Sequence, residues 1–261
     1  MASQRYEEFP VAPALRTWVL NYWRFSVDDI AADAAPFTVW PDGCTSIAVL
    51  ATPLPGPRIL WTGPRVTAMQ PPLRPHSEMW GFRLWPDSSA TVLGFTAPAL
   101  RDRVGPADPA IVAWAASLLD AVALLEPGRV TAALDAALLA RQPQWTTPDA
   151  GVRRALLSIV RSRGDVTMAD VAAEAGLGLR QLQRRFVAAT GLTLREWARI
   201  RRLRESIALR MGNDAGWSAI AAESGYADHA HLAREFRAMV GLAPTDVAER
   251  LHAIEHRNVR P

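Results

Sequence analysis

Lysine is missing from this chain, and cysteine is almost missing. All 29 basic residues among the 261 are arginine, and Cys44 is the single cysteine. One cysteine excludes a disulfide within the chain and a structural zinc site built from several cysteines. Before residue 150 there is also only one histidine, His76, so that half offers no metal cluster and no nucleophile–base motif. We therefore expect no cofactor, no bound metal and no enzymatic activity.

Long apolar runs are absent as well. No stretch approaches the roughly 20 apolar residues that span a membrane, and no hydrophobic segment follows a basic start. These absences predict a soluble, cytoplasmic protein that has no membrane partner.

The positive charge is concentrated in the second half. Residues 150–261 hold 18 arginines against 12 acidic residues, whereas the first 149 hold 11 arginines against 14, although the whole chain carries only +3. A single arginine usually lies on a solvated face. A basic half beside an acidic half instead favours a polyanionic partner for the basic one.

Two stretches of this basic half repeat each other about fifty residues apart. Residues 171–192 begin VAAEAG, and residues 220–242 begin IAAESG. Each predicts a short helix with small residues on one face, a glycine turn at Gly176 or Gly225, and a second helix. The second turn is one residue longer than the first. Such a tandem predicts two related helix-turn-helix units and favours DNA recognition.

The spacing of apolar residues assigns faces to the second helix of each unit. Leu182 and Phe186 are four residues apart, as are Leu232 and Phe236, so each pair is expected to be buried. Thr167 lies just before the first unit and three residues ahead of Asp170. This is the spacing of a capping box, with Asp in place of the usual Glu.

With these anchors, residues from about Gly151 to Leu251 resemble the paired helix-turn-helix domain of AraC/XylS-family transcription regulators. The stretch Trp197–Arg210 would be the helix that joins the two units. Two positions depart from the family pattern, Leu194 in place of proline and Val247 in place of an aromatic residue. Both bear on helix packing more than on base contact.

The resemblance implies which residues contact DNA and which partners to expect. Double-stranded DNA would be read in the major groove at two adjacent turns, with RNA polymerase as a further partner of an activator. Arg184 and Arg234 have an alternative role as phosphate contacts. By position, the implied DNA-binding residues are Arg180, Gln181, Gln183, Arg184, His229, Ala230, Ala233 and Arg234.

The front half has a different pattern of short aromatic and β-branched segments separated by proline and glycine. We expect antiparallel strands at Thr17–Val27, Phe37–Val39, Thr45–Leu50, Arg58–Thr62 and Ser77–Leu84. A helical pattern runs from Ser88 through Val104, and two apolar-faced helices follow at Ile111–Leu125 and Val130–Leu139, broken at Pro127-Gly128. These helices either cover the sheet or dimerise the protein.

The predicted fold class is α+β. An antiparallel β-rich domain with helices, either a barrel or cupin-like, precedes an all-α tandem helix-turn-helix domain. We divide the chain into a sensor-like domain at 1–105, a helical connector or dimerisation segment at 106–140, a linker at 141–150 and the DNA-binding domain at 151–256.

The segments YW near Asn21, PDGC at Pro41–Cys44 and Gly81–Phe95 also resemble an amino-terminal domain found on a subset of AraC-type regulators. This resemblance implies a sensor for a small-molecule effector. Alternatively, regulation uses protein contacts or a homodimer and no ligand. Tryptophans can line an aromatic cavity, but they more often fill a β core. Cys44 fits a buried apolar site better than a redox sensor, and Asp42 fits its own turn. The candidate effector-binding residues are Trp40, Asp42, Cys44, Trp61 and Trp80.

Overall fold

The computed structural model describes residues 4–28, 37–51, 59–72, 74–107, 126–212, 215–252 and 254–257, with the single positions 109 and 122. The helix expected at Ile111–Leu125 lies outside these residues, except for Val122, which is buried in the core beneath the sheet.

Seven strands form one sheet in the order β6-β4-β3-β5-β2-β1-β7. The described strands form an open sheet with β6 and β7 at its edges, and all neighbours are antiparallel except β1 and β7. The strands are β1 Gln4–Phe9, β2 Val19–Val27, β3 Ser46–Leu50, β4 Ile59–Thr62, β5 Ser77–Leu84, β6 Val104–Pro106 and β7 Ile254–Arg257. The antiparallel first domain is confirmed, but the parallel edge strand comes from the far end of the chain.

One face of this sheet is covered by a helix of the same half, α3, at Pro127–Arg141. Its buried side chains, spaced four apart, pack with the residues that β2 and β5 bury, such as Tyr22 and Phe82. The Tyr22 hydroxyl donates to Asp135 of α3 at 2.6 Å, which satisfies a polar group that burial would otherwise leave unpaired. The inward face of α3 therefore covers the sheet.

The segment after β5 differs from the single helix expected over Ser88–Val104. Two short helices, α1 at Ser89–Leu93 and α2 at Ala97–Leu100, precede the edge strand β6. Gly94 ends α1 in the left-handed conformation, with φ of 76°. Pro98 has no N–H to continue a ladder and lies in the first turn of α2, where proline is tolerated. The apolar pattern was helical, but these two residues divide it.

Among its described residues, the second half forms helices and their connecting turns apart from β7. Asp149, placed in the expected linker, caps the first of its helices through the backbone N–H groups of Gly151 and Val152. The joining helix is longer than the expected Trp197–Arg210. The helices are α4 Ala150–Arg161, α5 Met168–Ala175, α6 Leu179–Thr190, α7 Leu194–Gly212, α8 Trp217–Glu223, α9 His229–Val240 and α10 Pro244–His252.

These helices share one apolar core that runs without interruption from α4 to α10. Helix α7 crosses the middle of it, burying Leu194, Trp197, Ile200 and Leu203 between the two repeated units. Both positions that depart from the family pattern, Leu194 and Val247, are buried in this core. Among the described residues, no helix is both long and apolar enough to cross a membrane.

Candidate nucleic-acid interface

The first repeated unit consists of α5, a tight turn and α6. The Thr167 side chain accepts the Asp170 backbone N–H at 3.2 Å, which confirms the expected cap. Gly176 ends α5 with φ of 70°, a conformation that glycine adopts without the steric cost of a Cβ. Leu182 and Phe186 are fully buried, as their spacing predicts, so α6 is fixed by one stripe.

The second unit repeats the arrangement in α8 and α9. Leu232 and Phe236 are again fully buried. The longer turn is ordered by Tyr226, which is buried, and by Asp228, which accepts the His231 backbone N–H at 2.6 Å. Burial raises the pKa of Tyr226 to about 12, so its hydroxyl stays protonated at neutral pH.

Two arginines brace these units at carbonyls that differ by one position in the repeat, and sequence analysis missed both. Arg154 of α4 donates to the Ala175 carbonyl at 2.7 Å, and Arg202 of α7 donates to the Gly225 carbonyl at 3.4 Å. Each supplies a donor to a carbonyl where the first helix of the unit ends. Arg202 also lies 5.6 Å from the centre of the Tyr226 ring, a cation–π arrangement.

Helix α9 is also tied to α7 by a bidentate ion pair. Arg199 donates to both carboxylate oxygens of Glu235, at 2.7 and 3.1 Å. Fork-to-fork pairing of this kind fixes orientation as well as distance. It holds the helix next to Arg234, which remains exposed on another side of α9.

Seven of the eight predicted DNA-binding residues are exposed. Ala233 is the exception, at 8% exposure, so its methyl group is nearly covered by the protein itself. Within the described part of the chain, Arg180, Arg184 and Arg234 form no ion pair or hydrogen bond, unlike Arg154 and Arg202, which brace the two units. The exposed seven are Arg180, Gln181, Gln183, Arg184, His229, Ala230 and Arg234.

Their chemistry suits the edges of base pairs. An arginine can donate to both acceptors of guanine, and a glutamine amide can pair with adenine. Of the predicted DNA-binding positions, four on α6 carry such groups, whereas two on α9 do, His229 and Arg234. Ala230 offers a methyl group alone, which suits contact with thymine.

A cavity of about 630 Å³ lies between the sheet and α7. Of the five candidate effector-binding residues, Asp42 and Cys44 line it. The other three are placed elsewhere: Trp40 packs against the helical core, Trp61 packs against the core beneath the sheet, and Trp80 is fully buried there.

Asp42 and Cys44 have firm local roles in this cavity. Asp42 accepts the Cys44 backbone N–H at 2.9 Å, which confirms that it stabilises its own turn, and it pairs with Arg83 at 2.7 Å. Burial raises the pKa of the Cys44 thiol far above its ordinary value, and the negative charge of Asp42 raises it further. A protonated, buried thiol is a poor nucleophile.

Residues that sequence analysis did not select complete the cavity wall. They include Arg83 on β5 and Trp197, Arg201 and Arg204 on α7. In the described part of the chain, no group of three His, Cys, Asp or Glu side chains could hold a metal ion.

Comparison with known proteins identifies the domain that carries α5 to α10. Residues 171–250 match the protein-family model described as "Helix-turn-helix domain". No curated protein matches the sequence of this chain. The C-terminal domain of AraT, a response regulator from Geobacillus stearothermophilus, is 22% identical, with 38% of this chain and 84% of that chain covered and a TM-score of 0.36.

Structures of ToxT from Vibrio cholerae resemble the chain over a longer range. One is 13% identical over 88% of this chain and 97% of that chain, with a TM-score of 0.46. Another, with unsaturated fatty acid bound, is 9% identical over 97% and 96% of the two chains, with a TM-score of 0.47. The family match and the two exposed second helices lead to one conclusion: residues 171–250 are a helix-turn-helix domain of the AraC type.

Proposed function

We propose that this protein binds a specific DNA site with both helix-turn-helix units and activates transcription there, in the cytoplasm. Helices α6 and α9 lie in two adjacent turns of the major groove on one face of the duplex, about 34 Å apart. The observation that carries this proposal is the single core of α4 to α10, which leaves both second helices exposed with unpaired arginines. RNA polymerase is the expected further partner of such an activator.

The two units contribute unequally to sequence recognition on this proposal. Helix α6 carries Arg180, Gln181, Gln183 and Arg184, all exposed and all able to hydrogen-bond to base edges. The predicted positions on α9 carry fewer such groups, and Ala233 is nearly covered. The half-site read by α6 is therefore the more strictly defined one.

Replacing Arg184 tests this role directly. The specific site is first selected from a random DNA pool with the full chain, and affinity is then measured by fluorescence anisotropy. Arg184→Ala should weaken binding to the selected site by about 1–3 kcal/mol and relax one base position, because a bidentate guanine contact is lost. Binding to a random duplex should change much less.

The matched control is Arg129→Ala, which removes the same charge from an exposed helix start in the other domain. Its effect on the selected site should be negligible. Equal losses on the selected and random duplexes would make Arg184 a phosphate contact, and failure to select any site would refute sequence-specific binding.

The amino-terminal domain, on this proposal, controls DNA binding through a small-molecule effector. The support is the cavity between the sheet and α7, lined by residues of both halves. Control by dimerisation alone is the competing mechanism. Sedimentation velocity distinguishes the two, since a protein that stays monomeric at micromolar concentration, with and without DNA, does not use dimerisation.

A further inference from the structure

The cavity between the sheet and α7 has the size and walls of a small-ligand site. Its volume of about 630 Å³ falls within the usual range of roughly 300–1,000 Å³ for such sites. Apolar surface is supplied by Phe9 and Leu20 from the sheet side and by Val160 and Trp197 from the helices. Leu20 is 37% exposed, which is high for a leucine on a strand.

The charges around this cavity do not balance. Arg83 uses both acids of the cavity wall, pairing with Glu8 at 3.0 Å and with Asp42 at 2.7 Å. Among the described residues, neither Arg201 nor Arg204 forms an ion pair. Three cations thus face two carboxylates, which leaves one positive charge over.

The surplus charge is placed on one face of α7. Arg201 and Arg204 are three residues apart, so they share a side of the helix. The Nε of Arg201 is buried and has no hydrogen-bond acceptor, and its guanidinium lies 5.9 Å from the Trp197 ring centre. A buried donor without an acceptor is costly unless something supplies one.

The surroundings of Arg201 disfavour its charged form. Burial, followed by the neighbouring charge of Arg204, lowers the pKa of Arg201 to about 10. Glu205 and Asp42 oppose this shift only in part, and each is already paired with another arginine, Arg163 at 2.9 Å and Arg83 at 2.7 Å respectively. Arrangements that cost stability in this way are typical of binding sites, where the missing partner is the ligand.

We propose that this cavity binds a small organic monoanion. Its anionic group, a carboxylate or a sulfonate, accepts hydrogen bonds from Arg201 and Arg204, and its aromatic or aliphatic body lies against Trp197 and Leu20. The single negative charge follows from the single surplus cation, and the apolar body follows from the cavity walls. The regulatory meaning of this site rests on the proposed function, whereas the binding itself does not.

The position on α7 provides the route from ligand to DNA. Helix α7 joins the two helix-turn-helix units and contacts the cavity through Trp197, Arg201 and Arg204. A ligand that binds more tightly at one spacing of α7 from the sheet favours that spacing. Its differential affinity then sets how far the DNA affinity changes.

Two fluorescent probes that differ in one charge test the site on the full chain without DNA. The anion is 8-anilinonaphthalene-1-sulfonate, and its neutral counterpart is N-phenyl-1-naphthylamine, which has the same rings and no sulfonate. We expect saturable one-to-one binding of the anion. Arg201→Gln and Arg204→Gln should each weaken it about tenfold or more, because a charge-assisted hydrogen bond is lost. The neutral probe should change about twofold or less.

Arg195→Gln is the matched control, since Arg195 is exposed on the same helix and does not line the cavity. It should leave both probes unaffected. Arg201→Gln should keep or raise the Tm, because a buried unpaired charge is removed. The Tm is measured beside the probe titration, and an unlowered Tm shows that weaker probe binding does not result from unfolding. Equal losses of the two probes, or no loss in either variant, would overturn the proposal. DNA affinity is measured separately and stands or falls independently.

Discussion

Individual arginines of this protein have very different surroundings. Arg153 donates to both carboxylate oxygens of Asp87, at 2.9 and 2.7 Å, and the Asp87 side chain is only 1% exposed. Arg184 and Arg234 are exposed and have no protein partner among the described residues. Guanidinium groups thus fasten the two halves together and also supply the surface for DNA, a division that suits a planar donor better than an ammonium group.

Glu196 provides a pH-dependent fastening between the halves. Burial opposes its ionisation, yet hydrogen bonds from Arg101 at 2.6 Å and from the Thr193 backbone N–H at 2.7 Å hold its pKa below the ordinary value. Because the pKa is lower in the folded state, the interaction stabilises the protein at pH values above the unfolded-state pKa of about 4.3. This stabilisation is lost as the pH falls through the folded-state pKa.

We expect Glu196→Gln to lower the free energy of unfolding by about 1 kcal/mol at pH 7, the usual order for a partly exposed ion pair. At pH 3 the deficit should shrink, because the unfolded chain then gains free energy by protonating this carboxyl, which the folded wild type resists through its lowered pKa. Urea unfolding at both pH values measures the difference. Glu249→Gln, on an exposed part of α10, is the control, and a deficit equal at both pH values would contradict the assignment.

Among the helices, the turn between α5 and α6 offers a matched pair of glycines. Gly176 has φ of 70°, whereas Gly178, with φ of −64°, is in an ordinary region. A Cβ at Gly178 would meet nothing within 4 Å, and at Gly176 it would meet only the Arg154 side chain at 3.6 Å. Space is therefore available at both positions, and backbone conformation alone distinguishes them.

Gly176→Ala should lower the free energy of unfolding by about 1 kcal/mol, because alanine must adopt the left-handed conformation. Gly178→Ala should stay within about 0.5 kcal/mol of wild type, because alanine is a poorer N-cap than glycine but also lowers the conformational entropy of the unfolded chain. Chemical denaturation of the two variants gives the comparison. Equal effects would show that the turn tolerates a side chain at either glycine.

Helices with a local repeat were the predictable part of this fold. Leu182 with Phe186 and Leu232 with Phe236 are four apart, and that spacing alone indicates a buried face. Strand β1 has no such signal, because its sequence is QRYEEF and it buries Glu7 and Glu8. Their partners, Arg24 and Arg83, are 17 and 75 residues away. Only the folded sheet makes those charges interior.

The candidate cavity shows the same limit. The three-residue spacing of Arg201 and Arg204 indicates a shared helix face, but nothing local indicates that the sheet lies opposite it. Asp42 and Cys44 were correctly selected as cavity residues, because the turn that contains them is recognisable in the sequence. Trp40, Trp61 and Trp80 were selected by residue type, and tryptophan suits a core as well as a ligand site.

The two halves of the molecule are joined at several places besides the covalent connection. Strand β7 pairs with β1, starting with Ile254 opposite Gln4. The Ala68 N–H donates to the Met239 carbonyl at 2.7 Å, and Arg250 donates to the Thr38 hydroxyl at 2.9 Å. A Cβ at Gly43 would lie 2.9 Å from the Trp197 ring. Helices and sheet are therefore expected to unfold as one cooperative unit.

Removing residues 254–261 tests the contribution of β7. The truncated protein should have a lower Tm and should self-associate, because the edge of β1 loses its hydrogen-bonding partner and becomes available to other chains. Calorimetry and sedimentation measure the two effects. Removing only residues 258–261 keeps β7 and should change neither, so equal behaviour of the two truncations would show that β7 contributes little.

The pairing of β1 with β7 brings the first and the last of the described strands together in one sheet, so the chain between them forms a closed loop. A protease that cut once near Trp145 would open that loop, but the two fragments would stay associated. The fragment bearing α4 to α10 would stay docked through its own last strand, and the nicked protein would migrate as an intact particle until denatured.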